Sequence, residues 1–560
     1  MPSLTGRYAM LEQLAAEGVK YVFGNPGTTE QGFMDALQDF PQLEYILSLH
    51  EGVAAGVADG YARASGKPAF LQLHINPGLG NAMGMLYNSY RSGTPLVVYA
   101  GQHPHRGASQ EPILAGDLVR MAEPVTKWAA EVADPAEVPV MLRRAFKSAG
   151  EAPRGPIFLS VATNVMDEEA EIDIAPSNRV ETATRPDPIA IERLAAMLAE
   201  AQSPVIIAGD GVSISGGQAE LVQLAEATGA RVYTSFAAEL PFPSQHPLYG
   251  GLLAVVSGTM LRGQLAQADL IVAIGTPVLT LLFPLDEPPF PPSAPIVHID
   301  DDVREIGKNW KIDLGILGDP RMSLIELLAA LRRIHTDEQR EAARVRAEQV
   351  AAGGGGLMQA LDAAAKAKWD AEPMGAGRMM SEIADALAPD TLLFDESITS
   401  GGFLARYLRF EDTGRHYRAI GGGLGPGMPA PIGIKLARPD RPVISIVGDG
   451  AAMYTIQALW TAAHHRTPVV WVIANNQSYR ILKLNMLEYL AEGAAGREFV
   501  EMDLTGPALD FASIAGSFGV KGVRVERAAD IGDALKEAQS AEEPRLLDIA
   551  IDGDVKSRWL

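Results

Sequence analysis

Val443-Ile-Ser-Ile-Val-Gly-Asp-Gly450 is followed, after 24 further residues, by Asn475-Asn476. The run Val443–Val447 is apolar on both faces, as a strand covered by helices must be. Gly-Asp-Gly breaks it, helical periodicity follows over Ala452–His464, and a second apolar run, Val469–Ala474, ends at the Asn pair. This is a strand, turn, helix and strand in the order that builds a parallel sheet. A strand ending in Gly-Asp-Gly aims backbone N–H groups and a helix N-terminus at a space where a diphosphate can sit. Asp449 would repel two bare phosphates, and a divalent cation removes that conflict. The Asp449 carboxylate, the Asn476 side chain and the Ser478 backbone offer hard oxygen ligands that suit Mg²⁺ once diphosphate oxygens and water complete the shell. The expected diphosphate and metal site is therefore Gly448, Asp449, Gly450, Ala451, Asn476, Ser478 and Tyr479.

The competing reading is an ordinary turn that happens to contain these residues, and the chain supplies its own control. Gly209-Asp210-Gly211 also follows an apolar run, but the next run leads into Thr234-Ser-Phe-Ala-Ala, without an Asn pair. The glycine spacing of this second copy is also wrong for a dinucleotide fingerprint, so it reads as structural. The middle of the chain has no phosphate-binding glycine pattern that requires a flavin, and FAD is not expected.

Working outward, apolar runs alternate with helical stretches along the whole chain, as at Tyr21–Gly24, Ala69–His74, Leu96–Gly101, Pro204–Gly209 and Leu270–Gly275. The fold class is α/β, with three doubly wound parallel-sheet domains. A polar, Pro-containing break at Asn178–Pro188 and a charged helical stretch ending at Gly353–Gly356 divide it. The expected domains are 1–180, 188–336 and 372–560, with 337–371 as a linker.

Composition narrows the function. The 560 residues carry 47 Lys+Arg against 69 Asp+Glu, a net charge of −22, and no cysteine. Disulfides, thiolate zinc sites, iron–sulfur clusters and cysteine nucleophiles are excluded. The acidic balance argues against nucleic acid or an anionic membrane surface as partner. No continuous apolar stretch of about 20 residues could span a bilayer. The N-terminus reads as an amphipathic helix rather than a signal peptide, and a cytoplasmic location is expected.

The Gly-Asp-Gly and Asn-Asn pattern, with the domain order around it, resembles the thiamine diphosphate-dependent enzymes of the decarboxylase and acetolactate synthase-like superfamily. The likeness covers essentially the whole chain and implies pyrimidine-binding, middle and diphosphate-binding domains, with thiamine diphosphate and Mg²⁺ as cofactors. It implies that Glu51, in His50-Glu-Gly-Val-Ala-Ala-Gly56, pairs with the cofactor's aminopyrimidine. In Ile420-Gly-Gly-Gly-Leu-Gly-Pro-Gly-Met428, Gly422 and Leu424 resemble the segment that props the cofactor into its bent form. Ile398 and Thr399, in Asp395–Ser400, resemble a strand-end loop touching the cofactor.

Within the superfamily the likeness is strongest to the benzoylformate decarboxylases. It rests on Phe23-Gly-Asn-Pro-Gly-Thr-Thr-Glu30, Leu73–Gly84, Pro241–Pro247 and Ala458–Ala463. It implies catalytic roles for Glu51, for His74 in proton transfer and for Thr28, which stands where a serine binds the substrate carboxylate. It implies a substrate pocket of Asn25, Gly27, Thr28, His74, Leu282, Ile481 and Leu482. Leu282 stands where a second active-site histidine belongs. His74 and the Thr28 turn favour non-oxidative decarboxylation of a benzoylformate-like aryl or alkyl 2-oxo acid to an aldehyde. Loss of the second histidine favours the alternative, a carboligase or an aldehyde/acyl-CoA lyase that forms or cleaves acyloins. A non-catalytic binding protein on the same fold is the third reading, opposed by intact Glu51, Asp449 and Asn476. The resemblance further implies a homodimer or homotetramer with sites at the subunit interface. His103 and His105, and the helix-end pair His464 and His465, have structural readings as loop and capping residues; Gln102 reads as a donor behind the site.

Overall fold

A computed structural model of the chain describes residues 3–555 except 179, 236, 255–256, 282–283, 354–362, 364, 367–368, 409, 411–413 and 491–496. It divides into two compact units. One comprises 1–180, 368–403 and 421–560; the other comprises 181–367 and 404–420. The protein has three parallel-sheet α/β domains, two of them in the first unit.

The N-terminal sheet runs, edge to edge, Glu44–Leu47, Tyr21–Gly24, Ala69–Leu73, Leu96–Gln102, Ile157–Ala162 and Trp128–Val132, and every pairing is parallel. Its central strands are buried throughout, as the uninterrupted apolar runs require. In the C-terminal sheet Leu392–Glu396, Val443–Gly448, Val470–Asn475, Arg545–Ala550 and Lys521–Val525 lie side by side, again parallel. One apolar core joins the two domains of this unit, running from Val57 and Leu86 through Ile432 to Trp471 and Leu546. Small residues on the helix Glu51–Ser65 let the helix Ala430–Ala437 come close: a Cβ at Gly60 would fall 2.0 Å from the Ala430 carbonyl oxygen. The Gly- and Ala-rich character of that segment is thus a packing requirement.

The single helix expected over Ala452–His464 is interrupted. The structure has Asp449–Ala452 and Ala458–His464, with turns between. Between them the Thr455 hydroxyl donates to the Gly425 carbonyl and ties the intervening turn to the glycine loop.

The second unit carries the sheet Tyr249–Leu252, Arg231–Thr234, Pro204–Ala208, Leu270–Ile274, Ile296–Asp300 and Leu314–Leu317, all parallel. The second Gly-Asp-Gly closes the turn after Pro204–Ala208. Gly211 N–H donates to the Gly275 carbonyl at 2.9 Å, and the two Asp210 carboxylate oxygens accept Ala238 and Glu239 N–H at 2.9 and 3.0 Å. This carboxylate ties down a loop, which is why the motif recurs there without the Asn pair. The charged stretch expected in the linker is the helix Asp337–Gly353, seated on this unit by Arg346, which donates to the Thr228 carbonyl at 2.8 Å. Leu282 lies outside the described residues. Among the described residues no helix is long and apolar enough to cross a membrane.

Candidate functional site

In the N-terminal sheet the chain winds outward in both directions from the neighbours Tyr21–Gly24 and Ala69–Leu73, and such a switch point opens a crevice at the strands' carboxyl ends. Both ends carry candidate residues. Asn25, Gly27 and Thr28 form the loop leaving the first strand, and His74 ends the second and begins the helix Ile75–Arg91. They are in close contact: a Cβ at Gly27 would fall 1.8 Å from His74 Nδ1, so only glycine fits beside the imidazole. Thr28 faces solvent at the loop tip.

His74 is held by a residue that sequence reasoning quoted without giving it a role. Glu30 is fully buried, and its Oε2 lies 3.0 Å from His74 Nδ1. Its Oε1 accepts Gly101 N–H at 2.8 Å and the Thr29 hydroxyl at 2.7 Å. A carboxylate only accepts hydrogen bonds, so this pairing puts the proton on Nδ1 and leaves Nε2 for exchange. Between His74 and its helix, Ile75 has φ +29°, a costly conformation for a β-branched residue and one that marks functional sites.

Glu51 opens the helix Glu51–Ser65 and is 7% exposed. Asn81 Nδ2 donates to its Oε2 at 3.0 Å. Glu51 and His74 flank one glycine: a Cβ at Gly78 would lie 2.8 Å from Glu51 Oε1 and 3.1 Å from His74 Cβ. The structure therefore brings Gly27, Glu51 and His74 together and adds Glu30 and Asn81, while Asn25 and Thr28 lie in the same loop as Gly27.

A second group lies at the carboxyl ends of Leu392–Glu396, Val443–Gly448 and Val470–Asn475, three neighbouring strands. Asp449 is 3% exposed; its Oδ1 accepts Gly450 N–H at 2.8 Å, while its Oδ2 is buried without a partner. Burial pushes this carboxyl up to about 6, despite N–H groups of residues 450 and 476–478 that favour the anion. The Asn476 side-chain oxygen accepts Ser478 N–H at 2.9 Å, and Gln477 between them has φ +52°. The first asparagine of the pair serves the sheet: Asn475 Nδ2 donates to Asp548 at 2.9 Å, and Asp548 pairs with Arg524 at 2.7 Å.

A buried carboxylate oxygen without a partner fits a hard divalent cation. Among the described residues no group of three His, Cys, Asp or Glu could hold a metal. An ion at Asp449 would therefore draw its remaining ligands from Asn476, the Ser478 backbone and a bound anion, as the Mg²⁺ chemistry expected from the sequence requires.

Two loops border Asp449. In the first, Ile398 has φ +48° and is 47% exposed, a second strained β-branched residue, with Thr399 beside it. In the second, Gly422 has φ +88° and Leu424 is part-buried against the core. Glu396 links them: its two oxygens accept Gly425 and Gly427 N–H, each at 2.7 Å. Burial pushes the Glu396 carboxyl up to about 8, against these two bonds. Gly448, Ala451 and Tyr479 surround the same strand end, and Ile481 and Leu482 begin the helix Arg480–Leu490, with Leu482 exposed.

The remaining candidates brace the scaffold. His103 Nε2 lies 2.6 Å from the Ile113 carbonyl, His105 pairs with Glu131, and Gln102 donates to the Gly116 carbonyl at 2.9 Å. His464 stacks on Trp460 one helical turn before it.

The two strand-end groups, one around Glu51 and His74 and one around Asp449, belong to an α/β protein of parallel sheets. Three family models match the chain, described as the thiamine pyrophosphate enzyme N-terminal TPP binding domain over residues 4–121, the central domain over 191–330 and the C-terminal TPP binding domain over 399–549. The chain belongs to the thiamine pyrophosphate enzymes. It is 32% identical to a benzoylformate decarboxylase of Pseudomonas aeruginosa, over 97% of this chain and 98% of that one. It is also 32% identical to a probable acetolactate synthase large subunit of Methanocaldococcus jannaschii, over 98% and 92% of the two chains. Among solved structures, a thiamine diphosphate-dependent 4-hydroxybenzoylformate decarboxylase of Rhodococcus jostii RHA1 matches with a TM-score of 0.85 at 28% identity, over 98% of this chain and all of that one.

Proposed function

We propose that the protein is a Mg²⁺-dependent decarboxylase of aryl or alkyl 2-oxo acids, releasing CO₂ and an aldehyde. The observation that carries this reading is the Glu30–His74 pair, set beside Glu51 and the Asn25–Thr28 loop. Thiamine diphosphate supplies a nucleophilic carbon and an electron sink when bound. Asp449, Asn476 and the Ser478 backbone hold its metal. Gly448, Gly450, Ala451, Ile398, Thr399 and Tyr479 line its diphosphate end, and Gly422 and Leu424 shape its middle. Glu51 hydrogen-bonds the aminopyrimidine, and Thr28 receives the substrate carboxylate. His74 takes up a proton from solvent at Nε2 and passes it to the product carbon, while Glu30, accepting from Nδ1–H, orients the ring so that Nε2 faces the substrate. Ile481 and Leu482 give the acyl pocket an apolar wall.

The test is CO₂ release from a panel of aryl and alkyl 2-oxo acids, with turnover expected on at least one class. The leucine at position 282, in place of a histidine, supports the second reading, acyloin formation or cleavage. No CO₂ from any member of the panel, together with acyloin cleavage, would establish that reading instead. The Glu30 assignment has its own check. Glu30→Gln is expected to lower kcat by about tenfold or more, a share of what a positioned acid contributes, while thiamine diphosphate affinity stays unchanged. Equal losses in both would make Glu30 a residue of the fold alone.

A further inference from the structure

The loop Gly421–Gly427 is anchored from two sides. On one side Glu396 holds the Gly425 and Gly427 N–H groups, while the Thr455 and Ser445 hydroxyls donate to the carbonyls of the same two residues. On the other side stands Asn88, buried near the end of the helix Ile75–Arg91. Its amide copies a peptide: Nδ2 donates to the Gly423 carbonyl at 2.8 Å, and Oδ1 accepts Gly423 N–H at 3.0 Å. Residues 423, 425 and 427 are each tethered through both backbone groups, and Leu424 is carried between two of them. The fit is close, since a Cβ at Gly423 would fall 2.6 Å from the Gly84 carbonyl oxygen on the same helix.

That helix also serves the other group. His74 stands at its N-terminal boundary, Asn81 donates to Glu51, and Asn88 grips Gly423, at positions 74, 81 and 88. A spacing of seven residues is about two turns, so the three lie along one face. Asparagine is a middling helix former, and a buried amide is tolerated when its hydrogen bonds are made. Here both are made to one peptide, which fixes position in two directions at once. The helix is the rigid element that sets the Leu424 loop in register with Glu51 and His74 of the same chain.

We propose that Asn88 is a positioning residue for Leu424, acting on the bound cofactor through the Gly423 peptide. This rests on the reading of Leu424 as the residue that shapes the cofactor. The experiment uses the full chain with Mg²⁺ and thiamine diphosphate, and compares Asn88→Ala, Leu424→Ala and the double variant. The readouts are cofactor affinity by titration and hydrogen–deuterium exchange at the cofactor's C2 under saturation. Asn88→Ala is expected to slow exchange by about tenfold or more, the worth of a well-made hydrogen bond or two. The double variant should exchange no more slowly than Leu424→Ala alone, because both act through one contact. Gly423→Ala pushes the same loop off the helix and should reproduce the defect, so the test survives if Asn88→Ala folds poorly. Wild-type exchange in Asn88→Ala, even with a lowered melting temperature, would overturn the proposal while leaving the role of Leu424 standing. Wild-type exchange in Leu424→Ala would overturn both.

Discussion

Asp449→Ala is expected to abolish retention of thiamine diphosphate in the presence of Mg²⁺. Asp449 Oδ2 is buried and unpaired. A buried, partnerless carboxylate oxygen is costly, and this cost shows in the carboxyl being raised to about 6. A cation at this oxygen removes the cost and at the same time screens the diphosphate from the acidic side chain. Alanine removes the Asp449 carboxylate offered to the metal and leaves the N–H groups around it without their acceptor. No neighbouring cluster of acidic or histidine ligands can substitute among the described residues. Affinity should fall by about a hundredfold or more, as expected when a charged, desolvated contact is lost. Asp449→Asn separates the two contributions: it keeps an acceptor for Gly450 N–H but cannot neutralise a cation, and should fail nearly as badly. Calorimetric titration of each variant with cofactor, with and without chelator, makes the measurement. Tight binding by Asp449→Ala in chelator would show that the diphosphate is held without a metal at this residue.

The contrast between the residues read from sequence and those read from the structure follows the range of the interactions. The roles proposed for Asp449 and Asn476 can be read from sequence because the chemistry invoked is local: one strand, one turn and the next strand over fix their relation. The second Gly-Asp-Gly was legible as structural for the same reason. Glu30, Asn81, Asn88 and Glu396 act through partners 44, 30, 335 and about 30 residues away in sequence. None carries a local signature. Glu30 ends a quoted motif but gains its role only when parallel pairing sets the first strand beside the one that ends at His74. The uninterrupted helix expected over Ala452–His464 failed similarly, since helical periodicity is blind to a threonine recruited by a loop 30 residues upstream. The alternating apolar runs did define the sheets, because strands buried on both faces need no distant information to be recognised.

Glu51→Gln is expected to bind cofactor nearly as well as the unaltered protein and to lose about a thousandfold in turnover, within the range attributed to a positioned acid–base group. The substitution keeps the side chain's length and can retain the contact with Asn81, so the pocket stays formed. What it removes is the charge. Glu51 stands at a helix N-terminus, where a carboxylate is favoured, and Asn81 donates to it. Among the described residues no cation forms an ion pair with it, so its charge is not already spent on a neighbour. Such a carboxylate, buried beside a heterocycle, biases that ring's protonation more strongly than it would in water. Glutamine offers a hydrogen bond without that bias. The measurement pairs cofactor titration with C2 hydrogen–deuterium exchange and CO₂ release. Retained affinity with both rates lost assigns Glu51 to activation of the cofactor. Retained affinity with normal exchange but lost CO₂ release would move it to a later proton transfer. Unchanged turnover would leave Glu51 no role beyond the packing of its helix against Ala430–Ala437.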